Sequence, residues 1–164
     1  MPLVPPLNLA SLNPQNFVGA EVFSFSLSHE VQMATRLQYC LSILCLTPDL
    51  GPSEATPPLT EQMAKVAISC LRATDLASTL PPASTMLLLI DADLPALPGI
   101  FQRLKDALQP LLVPARPKEH RLTLSGGGGC YPLTATSASG LLQQALELMS
   151  RARADGGDRL YLPA

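Results

Sequence analysis

Apolar side chains at Leu27, Val31, Ala34 and Leu37 fall near helical spacing, predicting a helix over about residues 27–38 that Ser26 or Ser28 can cap. The stretch LSILCL at 41–46 then reads as a buried strand, and the four prolines and one glycine of 47–58 as a loop. Thr60 is placed to cap a second helix over 61–71, whose Met63, Val66, Ala67, Cys70 and Leu71 form one apolar stripe. A short extended piece at 76–80 leads through Pro81 and Pro82 to MLLLI at 86–90, a short run that suits a central strand covered on both faces. Residues 96–109 repeat the helical pattern with Leu97, Ile100, Phe101, Leu104 and Leu108 on one side. Pro98 fits the first turn, and Pro110 marks the expected end.

Residues 121–125 read as a strand that runs into Gly126, Gly127, Gly128 and Gly129. A last helix opens at Ser137 or Ser139, with Leu141, Leu142, Ala145, Leu148, Met149 and Ala152 as its apolar face. Gly156 and Gly157 then form a turn into a final strand at 159–162. Helices interleaved with strands, one pair of them joined as a hairpin, predict an α/β fold with a mixed sheet. Residues 1–17 are proline-rich and weakly patterned, which sets off an N-terminal arm from a domain at 18–164.

Composition sharpens this picture. The chain has 164 residues, 47% hydrophobic and 15% charged, enough for one ordered domain whose core is aliphatic because Trp is absent. A formal net charge of −2 leaves no basic stripe to displace counterions, which argues against nucleic acid as a partner, whereas a small anion needs only a few placed arginines. Cys40, Cys45, Cys70 and Cys130 show no C-x-x-C pair and no histidine at ligand spacing, so buried or partly buried thiols are expected. The N-terminus lacks a basic start and a long apolar run, and no apolar run approaches the ~18 residues a membrane helix needs, so no membrane insertion and a cytoplasmic location are expected.

From about Arg36 to the C-terminus, the order of elements and several local phrases resemble the GGDEF domain of diguanylate cyclases. RLQYCLSIL at 36–44 resembles the end of a family helix entering a sheet strand, and LRATDL at 71–76 the segment before the signature hairpin. LTLSGG at 122–127, followed by Tyr131 and Pro132, resembles the family's T-x-S-x-G strand, and 142–160 its closing helix and glycine turn. The resemblance implies a GGDEF-like palm fold, a central mixed sheet flanked by helices.

It also implies where chemistry would sit. The family's hairpin carries carboxylates that hold magnesium against a nucleotide triphosphate, and glycines that let phosphate approach the backbone. Here that hairpin reads Pro81, Pro82, Ala83, Ser84, Thr85, with no carboxylate. Thr47 stands where the family's other metal-binding aspartate ends an earlier strand, and Asp49 lies two residues on. The expectation is a degenerate domain with no catalytic residue, no metal and no cofactor.

Many family members also bind cyclic di-GMP at an R-x-x-D motif five residues before the hairpin. Arg72, Ala73, Thr74 and Asp75 have that form and spacing, and Arg103 matches an assisting arginine on the following helix. A guanidinium can fork onto guanine O6 and N7 or onto phosphate, and a carboxylate can accept from guanine N1–H and its amine. A structural role is also open, since Arg72 would close a helix and Asp75 could shape a turn. Arg103 to Asp106 repeats R-x-x-D, so position carries the argument. The expected function is a non-catalytic cyclic di-GMP receptor binding through Arg72, Asp75 and Arg103. The alternative is a protein-interaction or dimerisation module, with a protein partner or a second copy as ligand.

Other features point less far. The glycine run lacks the Lys-Ser/Thr of a phosphate-binding P-loop, and Gly156-Gly157-Asp158 echoes the family signature in letters alone. His29 and His120 have no evident partner in sequence. Asp91 and Asp93 follow a strand and suit the start of a loop and a helix cap, or a catalytic pair.

Overall fold

The computed structural model describes residues 16–50, 57–81, 83–112 and 123–164. Its elements run α1 (Ala20–Leu37), β1 (Leu41–Pro48), α2 (Pro57–Ser69), β2 (Leu76–Leu80), β3 (Ser84–Ile90), a 3-10 turn (Leu94–Ala96), α3 (Leu97–Leu112), β4 (Leu124–Tyr131), α4 (Ala138–Ala154) and β5 (Leu160–Tyr161). The strands form one sheet in the order β2-β3-β1-β4-β5. β1 pairs antiparallel with β3 and β4, β2 with β3, and β4 parallel with β5, so the sheet is mixed, as the sequence predicts.

β1 is buried along its whole length because it is the middle strand with helices on both faces, which is why its sequence shows no alternation. Its two faces still divide by parity. Leu44 and Leu46, with Leu87 and Leu89 of β3, pack with Met63 and Ala67 of α2 and Leu97, Phe101, Leu104 and Leu108 of α3. Ile43 and Cys45, with Met86 and Leu88, pack with Phe23, Leu27 and Val31 of α1 and Leu141, Ala145 and Met149 of α4. Among the described residues the arrangement is therefore a helix–sheet–helix sandwich, with α2 and α3 on one face and α1 and α4 on the other. Each fully buried leucine contributes about 1.5–3 kcal/mol.

The boundaries differ from expectation in four places. α1 starts at Ala20, about two turns earlier than Leu27, because Phe23 is fully buried and extends the stripe Leu27, Val31, Ala34 backwards; Gly19, not Ser26 or Ser28, stands at its N-cap. α2 starts at Pro57, whose fixed φ suits a first turn, so Thr60 lies inside the helix rather than capping it. α3 carries Pro110 in its last turn instead of stopping before it. The glycine run is not an exit from a strand but the body of β4, buried at every position.

The packing explains those glycines. A Cβ on Gly127 would sit 2.2 Å from both Ala145 O and Met149 N, so the backbone of α4 lies directly on the strand. On the other face, a Cβ on Gly126 would sit 2.7 Å from the Phe101 ring. The run is a docking track for two helices, which removes the phosphate-cradle reading. Ser137 caps α4 by accepting from Gly140 N at 3.0 Å. Gly156 and Gly157, at φ 118° and 74°, make the turn after it, as a glycine stop should.

Candidate functional site

The end of α2 unwinds through Cys70 and Leu71 into the 72–75 turn, closed by Asp75 N–H donating to Arg72 O at 3.0 Å. Asp75 is buried there, its side chain 4% exposed, and its carboxylate is fully engaged by backbone. Oδ2 accepts from Arg72 N and Oδ1 from Ile90 N, each at 3.0 Å. The aspartate thus ties the turn to itself and to the end of β3. The Arg72 side chain is 60% exposed, with Nε 3.6 Å from Asp75 Oδ2 and Nη2 donating to Ile90 O. A guanidinium has five N–H donors, so further donors remain for a ligand.

α3 forms the opposite wall. An open cavity of about 530 Å³ lies between, lined by Arg72, Asp75, Asp91, Gly99, Ile100 and Arg103 among others. That volume falls within the ~300–1,000 Å³ usual for small-molecule sites. The structure therefore brings together Arg72, Asp75 and Arg103 across 31 residues of chain. It also adds Asp91, held at φ 55° with its N–H on Cys40 O. Asp93 is a cap: its Oδ1 accepts from Ala96 N at 3.0 Å. The second R-x-x-D motif lies along α3, where Asp106 accepts from Gln102.

β2 and β3 close at the register pair Leu80–Ser84, with Pro81 and Ala83 in the turn; Pro82 lies outside the described residues. Ala83, Ser84 and Thr85 are buried, and the Leu46–Thr85 pair sets the end of β1 beside them. Thr47 is buried and pairs with Ser125. Asp49 is engaged by three donors: the Thr123 hydroxyl, the Ser125 hydroxyl at 2.6 Å and Asp158 N at 3.0 Å. It locks β1, β4 and the glycine turn together, and a Cβ on Gly157 would meet its Oδ2 at 2.6 Å. Tied in this way, a single carboxylate does not fit the magnesium site that the hairpin chemistry of the resemblance requires. Among the described residues, no three of His, Cys, Asp and Glu come together as a metal site.

The four cysteines are free thiols. Burial pushes the Cys45 thiol pKa up, and burial with nearby Cys130, Asp91 and Asp93 does the same for Cys40, so neither is a ready nucleophile. His29 stacks on Phe25 at the surface of α1, and His120 lies outside the described residues. Sequence reasoning missed Asn16, whose amide donates to Arg72 O and Asp75 O at 2.8 Å each; no local pattern marks a contact between residues so far apart. Among the described residues, no helix is long and apolar enough to cross a membrane.

The sequence matches no family model and no curated protein. Solved structures do match in fold. The GGDEF domain of YfiN (TpbB) from Pseudomonas aeruginosa superposes with a TM-score of 0.74 at 20% identity, covering 90% of this chain and 96% of that one. The diguanylate cyclase SiaD from the same organism, solved in complex with its activator SiaC, gives 0.74 at 18% identity over 88% of this chain and 58% of that one. The coiled coil and GGDEF domain of DgcB from Caulobacter crescentus, in complex with c-di-GMP, gives 0.72 at 12% identity, covering 90% and 82%. The chain has the GGDEF-domain fold.

Proposed function

We propose that the protein is a non-catalytic receptor for cyclic di-GMP that takes the dinucleotide between the 72–75 turn and α3. The observation that carries this reading is the convergence of Arg72, Asp75 and Arg103 on one cavity. Arg72 and Arg103 are the contacts, forking onto guanine or phosphate. Asp75 holds the turn in shape, its two carboxylate oxygens accepting from the N–H groups of Arg72 and Ile90. That DgcB, a structure of the same fold, was solved with c-di-GMP supports the choice of ligand. The absence of a carboxylate from Pro81 to Thr85 and the engagement of Asp49 support the loss of catalysis.

Titration with cyclic di-GMP tests the reading. Saturable binding is expected, and Arg72→Ala should weaken it about 5- to 150-fold, the equivalent of one bidentate contact. No saturation at tens of micromolar, or equal binding by Arg72→Ala, refutes it. A second reading, a protein-interaction or dimerisation module, is favoured by Val22 and Phe25, which lie 53% and 73% exposed on the outer side of α1. A partner that co-purifies regardless of cyclic di-GMP and is lost in Phe25→Ser would select it.

A further inference from the structure

The turn that holds Arg72 is braced from outside its own segment. Residues 16–18 run along the free edge of β2: Ala77 N donates to Asn16 O at 2.7 Å and Val18 N to Ala77 O at 2.9 Å, which makes the parallel bridge Phe17–Ala77. This fixes the Asn16 side chain beside the turn. Its amide then donates to Arg72 O and to Asp75 O, the first and last carbonyls of the motif, both at 2.8 Å. Since both partners are acceptors, the amide nitrogen must face them, and the orientation is forced by chemistry. An aspartate of the same shape would set oxygen against oxygen, and an alanine would supply nothing.

We propose that Asn16 is a positioning residue for the cyclic di-GMP site, and that residues 16–18 act as a strut coupling the N-terminal stretch to that site. The proposal rests on the receptor reading for its ligand. Asn16 is not among the residues that line the cavity, so it acts through the turn. With the strut docked, the turn is held on one side by Asn16 and on the other by the Asp75 carboxylate on Ile90 N, and the Arg72 backbone cannot drift from the cavity mouth. With the strut released, the turn must be ordered by the ligand itself, which lowers affinity. Reciprocity follows: the ligand stabilises the docked strut by the same factor by which the strut favours the ligand.

The test uses the full chain, its Asn16→Asp and Asn16→Ala variants, amide hydrogen exchange and cyclic di-GMP titration. Both variants should exchange faster at Arg72, Asp75 and Ile90, with core amides such as Leu44 and Leu87 unchanged. Both should bind cyclic di-GMP about 5- to 150-fold more weakly, the span of two hydrogen bonds of ordinary net strength. Ligand should slow exchange at Ala77 in the wild type and not in Asn16→Asp. Unchanged local exchange in both variants, or equal affinity beside a wild type that binds, overturns the strut. A wild type that binds nothing sinks the receptor reading alone, and the exchange comparison still decides whether Asn16 braces the turn.

Discussion

Replacing Gly127 by alanine puts one methyl group where the backbone of α4 already lies. The added carbon would stand 2.2 Å from Ala145 O and from Met149 N, and 2.8 Å from Leu148 C. Favourable contacts begin near ~3.5 Å, so the helix must retreat by roughly 1 Å or more. These are backbone atoms of a rigid element, with no side-chain end that can swing aside. The retreat also loosens Leu141, Ala145 and Met149, which close the core over β1. Overpacking of this kind costs ~1–3 kcal/mol, and the backbone clash puts Gly127→Ala at about 3 kcal/mol. For a domain of this size that lowers Tm by about 6–12 °C. Gly99→Ala is the control: a Cβ there meets nothing within 4 Å, and alanine favours a helix over glycine by up to about 1 kcal/mol. Thermal or urea denaturation of the two variants beside the wild type reads the difference. Equal Tm values for Gly127→Ala and wild type would refute the docking-track account of the glycine run and reopen a ligand role for it.

Two further predictions concern groups that the receptor reading leaves without catalytic duty. Asp49→Ala should lose about 2–3 kcal/mol of stability, measured by urea denaturation, because the buried Ser125 hydroxyl loses its acceptor. Magnesium should not stabilise the wild type; a magnesium-dependent rise in Tm that Asp49→Ala abolishes would contradict the assignment. Tyr39 is shifted from 10.0 to about 12 by burial, by its hydrogen bond to Glu30 and by the charge of that carboxylate. The unfolded chain therefore loses this proton first, so the tyrosine's contribution is whole below pH 10 and is lost as pH rises from 10 to about 12. The stability gap between wild type and Tyr39→Phe should shrink across that window and stay constant below it.

Much of the fold was legible in the chain because burial leaves a pattern. LSILCL, whose one hydroxyl is Ser42, and the wholly apolar MLLLI lie in β1 and β3, and the stripe from Leu141 to Ala152 is the face of α4 that packs on the sheet. The start of α1 was hidden because Phe23 and Phe25 alternate with serines and imitate a strand period, although only Phe23 turns inward. The nature of the glycine run was hidden for another reason: glycine reports a close neighbour without naming it, and α4 follows later in the chain. Position within the chain singled out Arg72, Asp75 and Arg103. It did not reveal that Asp75 spends both oxygens on backbone N–H groups, because one of these, on Ile90, arrives only when β3 folds back along β2. Asn16 and Asp49 were illegible for the same cause, each joined to partners more than fifty residues away.

The location of the ligand is the claim on which the account turns, and amide chemical-shift mapping of isotope-labelled protein reads it directly. Added cyclic di-GMP should move the signals of Arg72, Asp75, Asp91 and Arg103 in a saturable manner and leave Thr47 and Ala83 in place. Shifts centred on Thr47 and Ala83, or none anywhere, would contradict it.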